Sequence, residues 1–501
     1  MMNRPRPNVL ILISDQHNPH IAGFEGDKRA RTQHLDRLAA ESVRFTSAYC
    51  QCPLCTPSRI SLWTGMLPWR CAAWGNNMPI FPEFCTLPEH FGRHGYATCG
   101  IGKMHVGGER PMNGFHERPY GDLIPNCFCG HQPDPIHSAK DQNWTNHQVG
   151  RFTYAGATEV PESLIQDHVV SCQAAAWIRD HAATSKDKPW FVCASYQRPH
   201  HPLTAPSRYF KRYWPQGSPP LGKLPDGYPD NIHPHDRFIV EDFNLAKLPR
   251  EEIQRGLAAY YASVDYLDDC IGDLLNSLES EGLLKNTVVV YLSDHGDLAS
   301  EYGLWWKRSP REGSARVPLL IRVPDNPTIG QVDTPVELVD IFPTLCDVCQ
   351  IPKPRDLDGE TLLPFLHGSG ERRRKDFARS EYLLRSESCF RMIRTPRWKY
   401  VEFLIEDWQP MLFDMQEDPQ ELSNIAAEPT HQGLIAELHE RLWSDGQNWE
   451  SLLNEKRLDL ERAQKEKYTH YDCSPNQFAL PDGTLINAEM EFYRQFLRDM
   501  A

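Results

Sequence analysis

Along the first 350 or so residues, hydrophobic and polar positions alternate at two recurring lengths. Short β-branched runs of strand length come at "NVLILIS" (8–14), "YATCGI" (96–101), "WFVCAS" (190–195), "TVVVYLS" (287–293) and "PLLIRV" (318–323). Between them, over 162–183 and from Glu251 to about Ser280, apolar residues recur at three- and four-residue spacing, the period of an amphipathic helix. The alternation predicts an α/β fold, a large mainly parallel sheet sandwiched by helices. The stretch 196–250 is rich in Pro, His and Tyr with little periodicity and reads as a long functional loop or excursion. After about residue 370 the pattern changes. "FARSEYLL", "CFRMIRTPRWKYVEFL" and "QPMLFDM" predict an antiparallel meander with a turn near Thr395-Pro396-Arg397. A helix from about Gln432 to Lys467 and a polar tail follow. The expected organisation is a large α/β domain over 1–370, a smaller α+β subdomain over 371–450, and an extension over 451–501 serving as oligomer contact or lid.

Four apolar runs end the same way, in a sudden group of charged or imidazole side chains: "NVLILISDQ", "ATCGIGKMH", "WFVCASYQRPHHP" and "VVVYLSDHGD". Open α/β sheets bind ligands beyond the carboxyl ends of their strands. If these strands are parallel neighbours, Asp15, Lys103, His105, His200, Asp294 and His295 converge on one rim. A strand-end Asp taken singly is more often a turn or helix cap, so the recurrence carries the argument. Asp15, Asp294 and His295 then make a cation site, since carboxylate oxygens hold hard divalent ions and an imidazole admits softer ones. Lys103 and His105 would face an anion, as would Lys307 in "GLWWKRSPREGSARVP"; the plain alternative for Lys307 is a solvated surface lysine.

Composition changes the picture mainly by exclusion. A net charge of -14 disfavours a general nucleic-acid or anionic-membrane binder, while leaving room for a local cluster of cations. The start of the chain runs straight into a short apolar strand without the longer apolar run and cleavage site of a secretory signal, and no apolar run approaches the ~18 residues that cross a bilayer, so neither a leader nor a span is expected. The 15 cysteines are an odd, irregularly spread count, which predicts mostly reduced thiols and a cytoplasmic protein.

"CQCPLCTPSR" (50–59) crowds three of those thiols together. Cys52/Cys55 and Cys346/Cys349 are formally C-x-x-C pairs, but they lie far apart and neither context suits zinc or redox use. Cys50, Cys52 and Cys349 read as small buried hydrophobes. Cys55 differs. Pro57 suits a first helical turn, and "PSRISLWTG" continues to a glycine stop, which leaves Cys55 at a helix N-terminus favouring negative charge. Arg59, one turn in, could point back at the same spot.

"CTPSRISLWTG" resembles the C-x-P-S-R…T-G signature of the type I sulfatases in the alkaline-phosphatase-like superfamily. "GIGKMHVG", "RPHHP", "SDHGD", "WKRSPREGSARVP" and "LFDMQEDPQELSNIA" are similar to that family's later segments, in its order. Asp15-Gln16 and Asp294-His295 stand where many sulfatases carry Asp-Asp and Asp-Asn. That pairing, with Asn76 placed 21 residues after Cys55, resembles the choline-sulfatase and phosphonate-monoester-hydrolase branch. The Lys103/His105 pair is typical of sulfate-ester hydrolysis, where the phosphonate enzymes tend to have Tyr and Thr.

The resemblance implies a sulfuric ester hydrolase whose Cys55 is oxidised by a separate maturing enzyme to Cα-formylglycine. It implies one divalent cation, Ca2+ with Mn2+ as the alternative, held by Asp15, Gln16, residue 55, Asp294 and His295. Arg59 would hold the hydrated aldehyde. Lys103, Lys307 and Asn76 would stabilise the sulfuryl oxygens of a small anionic ester. His200 or Lys307 would protonate the leaving alcohol, and His105 would release sulfate from a covalent sulfate-enzyme intermediate. His201 is the lesser of its pair. The alternative is phosphonate monoester or phosphodiester hydrolysis at the same site; a homo-oligomer is a further expectation.

Overall fold

The computed structural model describes residues 6–465 except 77, 107–109, 111, 122–149, 186, 226, 231, 325–327 and 369–374, together with 477–479 and 485–487. Among the described residues the main sheet is built from β1 (Asn8–Asp15), β2 (Val43–Phe45), β3 (Ala97–Gly102), β4 (Glu117–Gly121), β5 (Trp190–Pro199), β6 (Thr287–Ser293), β7 (Leu319–Arg322) and β8 (Gly330–Val332). Their order across the sheet is β8-β2-β7-β6-β1-β5-β3-β4. The run from β6 through β1, β5 and β3 to β4 is parallel, while β7 lies antiparallel to both β6 and β2.

The period of two along β1 divides the core. Leu10 and Leu12 face one way, packing with Val170 and Ala174 and with Leu267 and Ile271. Val9, Ile11 and Ile13 face the other, with Leu62, Trp63 and Leu345. Those partners belong to helices α1 (Cys55–Thr64), α2 (Gln166–Thr184), α3 (Arg250–Ser280) and α4 (Ile341–Val348). The sheet is therefore covered on both faces, which is why its central strands are apolar at nearly every position.

The C-terminal meander, β9 (Ala378–Tyr382), β10 (Phe390–Arg394), β11 (Trp398–Phe403) and β12 (Met411–Asp414), is antiparallel in chain order. Phe390, Met392, Val401 and Phe403 pack on Tyr49, Cys52 and Leu54, so this small sheet backs the thiol-rich turn. Its other face, through Ile393, Tyr400 and Leu412, covers α5 (Gln432–Leu442).

Two sequence expectations need correction. The helix expected over 432–467 is two helices, α5 and α6 (Trp449–Lys465). α5 ends at Leu442, the chain turns through a left-handed Gly446 at φ +77°, and Asn448 restarts it by accepting the Ser451 N–H at 2.8 Å. The stretch 196–250 is not simply a loop either, because β5 runs on to Pro199 and a helix occupies Pro234–Asp242. The 450/451 boundary falls inside α6, and the 370/371 boundary lies outside the described residues. Among the described residues no helix is long and apolar enough to cross a membrane.

Candidate active site

The carboxyl ends of β6, β1, β5 and β3 deliver Asp294, Asp15, His200 and Lys103 side by side. β5 leaves register with β1 after Ser195, pairing Ile13 with Ser195 but Asp15 with Pro199. The extra residues bulge out, and the His200 N–H reaches back to the Asp15 carbonyl at 3.0 Å. On the other flank Gly102, at φ +89°, turns the chain directly against β5; a Cβ there would stand 2.0 Å from the Ser195 carbonyl oxygen. This close approach lets the Lys103 N–H bond Ser195 O at 3.0 Å and sends the lysine inward.

Residue 55 is the first residue of α1, whose ten residues are all buried. The Leu54 cap offers no side-chain acceptor, so the helix end keeps amides aimed at the site. One is taken from outside the helix: the Thr56 N–H donates to the Asn76 carboxamide oxygen at 3.2 Å, leaving the amide nitrogen of Asn76 as its remaining polar group. The Cys55 sulfur lies among charged and imidazole groups. It is 2.9 Å from Lys307 Nζ, 3.2 Å from His295 Nε2 and 4.0 Å from Asp15 Oδ1. Burial opposes ionisation of this thiol, but Lys307, Lys103, His295 and a hydrogen bond from His105 outweigh it and hold the group well below the usual thiol range.

Arg59 lies at the centre, completely buried. Its Nε donates to Asp294 Oδ2 at 2.7 Å and its Nη2 to Asp15 Oδ2 at 3.2 Å. Its Nη1 donates to the Lys103 carbonyl at 2.6 Å and to Ser195 Oγ at 3.0 Å. Lys103 Nζ sits 2.7 Å from Asp15 Oδ2. Burial works against the Asp15 charge, yet Lys103, His200 and Arg59 prevail and keep it ionised well below the ordinary carboxylate range. Asp294 goes the other way, raised by burial and by Asp15.

The histidines have fixed orientations. His295 Nδ1 donates to the Gly296 carbonyl at 2.9 Å, so Nε2 is the ring nitrogen that faces the cluster. Nδ1 of His200 is 2.8 Å from the His201 carbonyl, and Nε2 is 3.9 Å from Asp15 Oδ1. Burial, Lys307 and Lys103 depress the His200 pKa well below its usual value. His201 stacks on His200 at 3.9 Å between ring centres and meets the Trp306 edge at 5.5 Å.

Ligand atoms of Asp15, Cys55, Asp294 and His295 all lie within 4.8 Å of one another, close enough to share one ion. Two carboxylates and an imidazole lone pair suit a divalent cation. A further observation fits: Gln16, buried beside them with its N–H on Asp294 Oδ1 at 3.2 Å, has a side-chain oxygen with no hydrogen-bond donor. A buried amide oxygen without a donor is costly unless a cation takes it.

The pattern of the sulfatase family matches residues 7–351, and that of the C-terminal part of N-sulphoglucosamine sulphohydrolase matches residues 300–448. The chain belongs to the sulfatase family. It is a sulfuric ester hydrolase, with the doubly covered α/β sheet that the sequence led us to expect. Among sulfatases of known name it is 32% identical to the choline-sulfatase of Rhizobium meliloti, over 85% of this chain and 84% of that one. It is 30% identical to arylsulfatase K of Bos taurus, over 84% and 78%. Its fold also resembles the phosphonate monoester hydrolase of Agrobacterium radiobacter, at a TM-score of 0.73 and 24% identity over 96% of this chain and 99% of that one.

Every residue singled out in the sequence except Asn76 and His105 is joined to this sulfatase's site by the distances above. Asn76 joins through the Thr56 amide, and His105 through its carbonyl, which accepts the Thr56 hydroxyl at 2.7 Å. Sequence reasoning passed over Ser195, which holds Arg59, and Asp297, which binds Gln16. Asp297 was in plain view in "SDHGD", but nothing local distinguishes it from a turn aspartate.

Proposed function

We propose that the chain hydrolyses a sulfate monoester by S–O cleavage at residue 55, after Cys55 has been oxidised to formylglycine by a separate maturing enzyme. The observation that carries this reading is the Lys307–Cys55–His295 contact at a helix N-terminus, beside a four-residue cluster able to hold a cation. Hydrated, the aldehyde supplies a geminal diol, one hydroxyl to accept the sulfuryl group and the other to expel it. Asp15, Gln16, residue 55, Asp294 and His295 would hold a divalent ion, Ca2+ or Mn2+, which would supply Lewis acidity at the hydroxyls of residue 55.

The rest falls to side chains. Arg59 fixes both carboxylates and thereby the geometry of the cluster. Lys103, Lys307 and the Asn76 amide nitrogen neutralise charge on the sulfuryl oxygens as the S–O bond breaks. His200 hands a proton to the departing alcohol once the bound anion has raised its basicity. His105, tied by its carbonyl to Thr56 next to residue 55, takes a proton from that residue's second hydroxyl.

The test is release of 4-nitrophenol from its sulfate ester by protein matured in its native host. Loss of that activity in Cys55→Ala, with peptide mass spectrometry across 50–59 showing SH and H replaced by a carbonyl oxygen, is the expected result. An intact thiol together with full activity in the variant overturns the mechanism. Faster turnover of the matched aryl phosphonate than of the sulfate would move the assignment to phosphonate monoesters.

A further inference from the structure

Gln16 is held by its backbone and left one choice by its side chain. Its φ of +67° is fixed by an N–H donated to Asp294 Oδ1 at 3.2 Å and a carbonyl accepting the Tyr260 hydroxyl at 2.6 Å. The two ends of its carboxamide have nearly the same shape, so only hydrogen bonding decides which faces the ion cluster. Asp297 makes that decision. One oxygen of its fully buried carboxylate accepts the Gln16 Nε2–H, and the other accepts the Ala299 N–H at 2.7 Å and the Trp306 N–H at 3.1 Å. Its backbone carbonyl takes the Asn18 amide at 2.6 Å. A carboxylate so placed welcomes an N–H and repels an oxygen, so Gln16 Oε1 is turned away from it and left without a donor.

The same carboxylate reaches the segment carrying Lys307. Trp306 and Arg308, on either side of that lysine, both have φ of +71°, and Ala299, Ser300 and Tyr302 are also left-handed. Non-glycine residues hold such geometry only when their surroundings over-determine it. Here the Trp306 N–H is pinned by Asp297 and the Arg308 N–H by the Pro53 carbonyl at 3.1 Å, two residues before Cys55.

We infer that Asp297 is a positioning residue: it fixes which end of the Gln16 carboxamide faces the cation and ties that choice to the strap presenting Lys307. The inference rests on the cation site proposed above. In Asp297→Asn the retained oxygen keeps the two backbone N–H groups, so the new amide nitrogen faces Gln16 and reverses its carboxamide.

The experiment is calorimetric titration of metal-free protein with Ca2+ and with Mn2+. Asp297→Asn is expected to weaken binding about 10- to 100-fold, the range for groups that orient metal ligands. In a Gln16→Ala background the same change is expected to cost under about twofold, since there is no carboxamide left to orient. Gln16→Glu alone sets two carboxylates face to face and is expected to weaken binding despite its added negative charge. Combined with Asp297→Asn, whose amide donates to the new carboxylate, it is expected to restore affinity. Metal-free thermal unfolding checks that each variant folds, and Gln16→Glu keeps the inference testable if Asp297→Asn does not.

Unchanged affinity in Asp297→Asn, or tighter binding by Gln16→Glu alone, overturns the inference. Wild-type protein that takes up neither ion, or Gln16→Ala that binds as well as wild type, overturns the site reading and the inference with it.

Discussion

Replacing Lys307 by alanine isolates the contribution of one charge to the reaction. Its Nζ lies 2.9 Å from the residue-55 sulfur and 3.3 Å from His295 Nε2, in contact with the proposed nucleophile and beside the place the proposed mechanism gives a sulfuryl oxygen. Two unit charges at that separation interact by about 6 kcal/mol at an effective dielectric constant of ~20, which is an upper bound. The side chain is only partly buried, so solvent screens part of that energy. Losing one preorganised donor to a developing anion costs about 3–4 kcal/mol, or 100- to 1000-fold in kcat, and we expect a loss in that range. The thermal midpoint should move by no more than about 1–2 °C, as for changes that leave the core intact. The assay is steady-state hydrolysis of aryl sulfates, with equal aldehyde content in both proteins verified by mass spectrometry. A series of leaving phenols separates two roles: a loss constant across the series marks charge stabilisation, and one growing with phenol pKa marks proton donation. A drop under about tenfold in fully matured protein would refute the placement of Lys307 in the reacting layer.

Three other expectations concern stability. Lys399 is fully buried, with its Nζ 2.9 Å from Glu312 and 2.7 Å from Glu421; Lys399→Met removes the cation these two buried carboxylates share, leaving Glu312 with Arg316 at 3.3 Å and Glu421 with hydrogen bonds alone, and should cost about 3 kcal/mol in denaturant unfolding, while under 1 kcal/mol would contradict the network. Asp268, far from the site in sequence, is pushed up to about 8, chiefly by burial, although the His34 and Leu35 amides oppose the shift. A carboxyl raised in the fold binds its proton more tightly there than in the unfolded chain. Its stabilisation is complete at acid pH and is lost as pH rises from about 4 towards 8. Asp268→Asn should therefore gain in melting temperature relative to wild type between pH 5 and pH 9, and parallel profiles would exclude the effect. In Gly102→Ala a methyl group must enter 2.0 Å from the Ser195 carbonyl at φ +89°, so the variant should lose at least about 2 kcal/mol along with activity, and near-normal unfolding would show that β5 yields.

Much of this protein was readable one segment at a time. The central strands declared themselves because a parallel strand buried on both faces must be apolar almost throughout, and α2 and α3 because a helix lying on that sheet needs an apolar stripe. Cys55 could be placed at a helix start from Pro57 and the glycine stop, since both act on nearest neighbours. What tertiary structure alone decided was adjacency. Asp294 and Asp15 meet because β6 lies beside β1, a matter of strand order that no local pattern encodes. Lys307 reaches Cys55 through left-handed residues that no propensity favours, held by acceptors on Asp297 and Pro53. The Asn76 carboxamide faces the Thr56 amide across a turn that sequence spacing leaves open. Glycine at 446 was visible, but not that α5 would stop short of it at Leu442 and that Asn448 would cap the next helix. Patterning reports the free energy of burying one face of one element. The site depends on register, on close backbone approaches and on paired buried charges, whose energies exist only once distant segments are in contact.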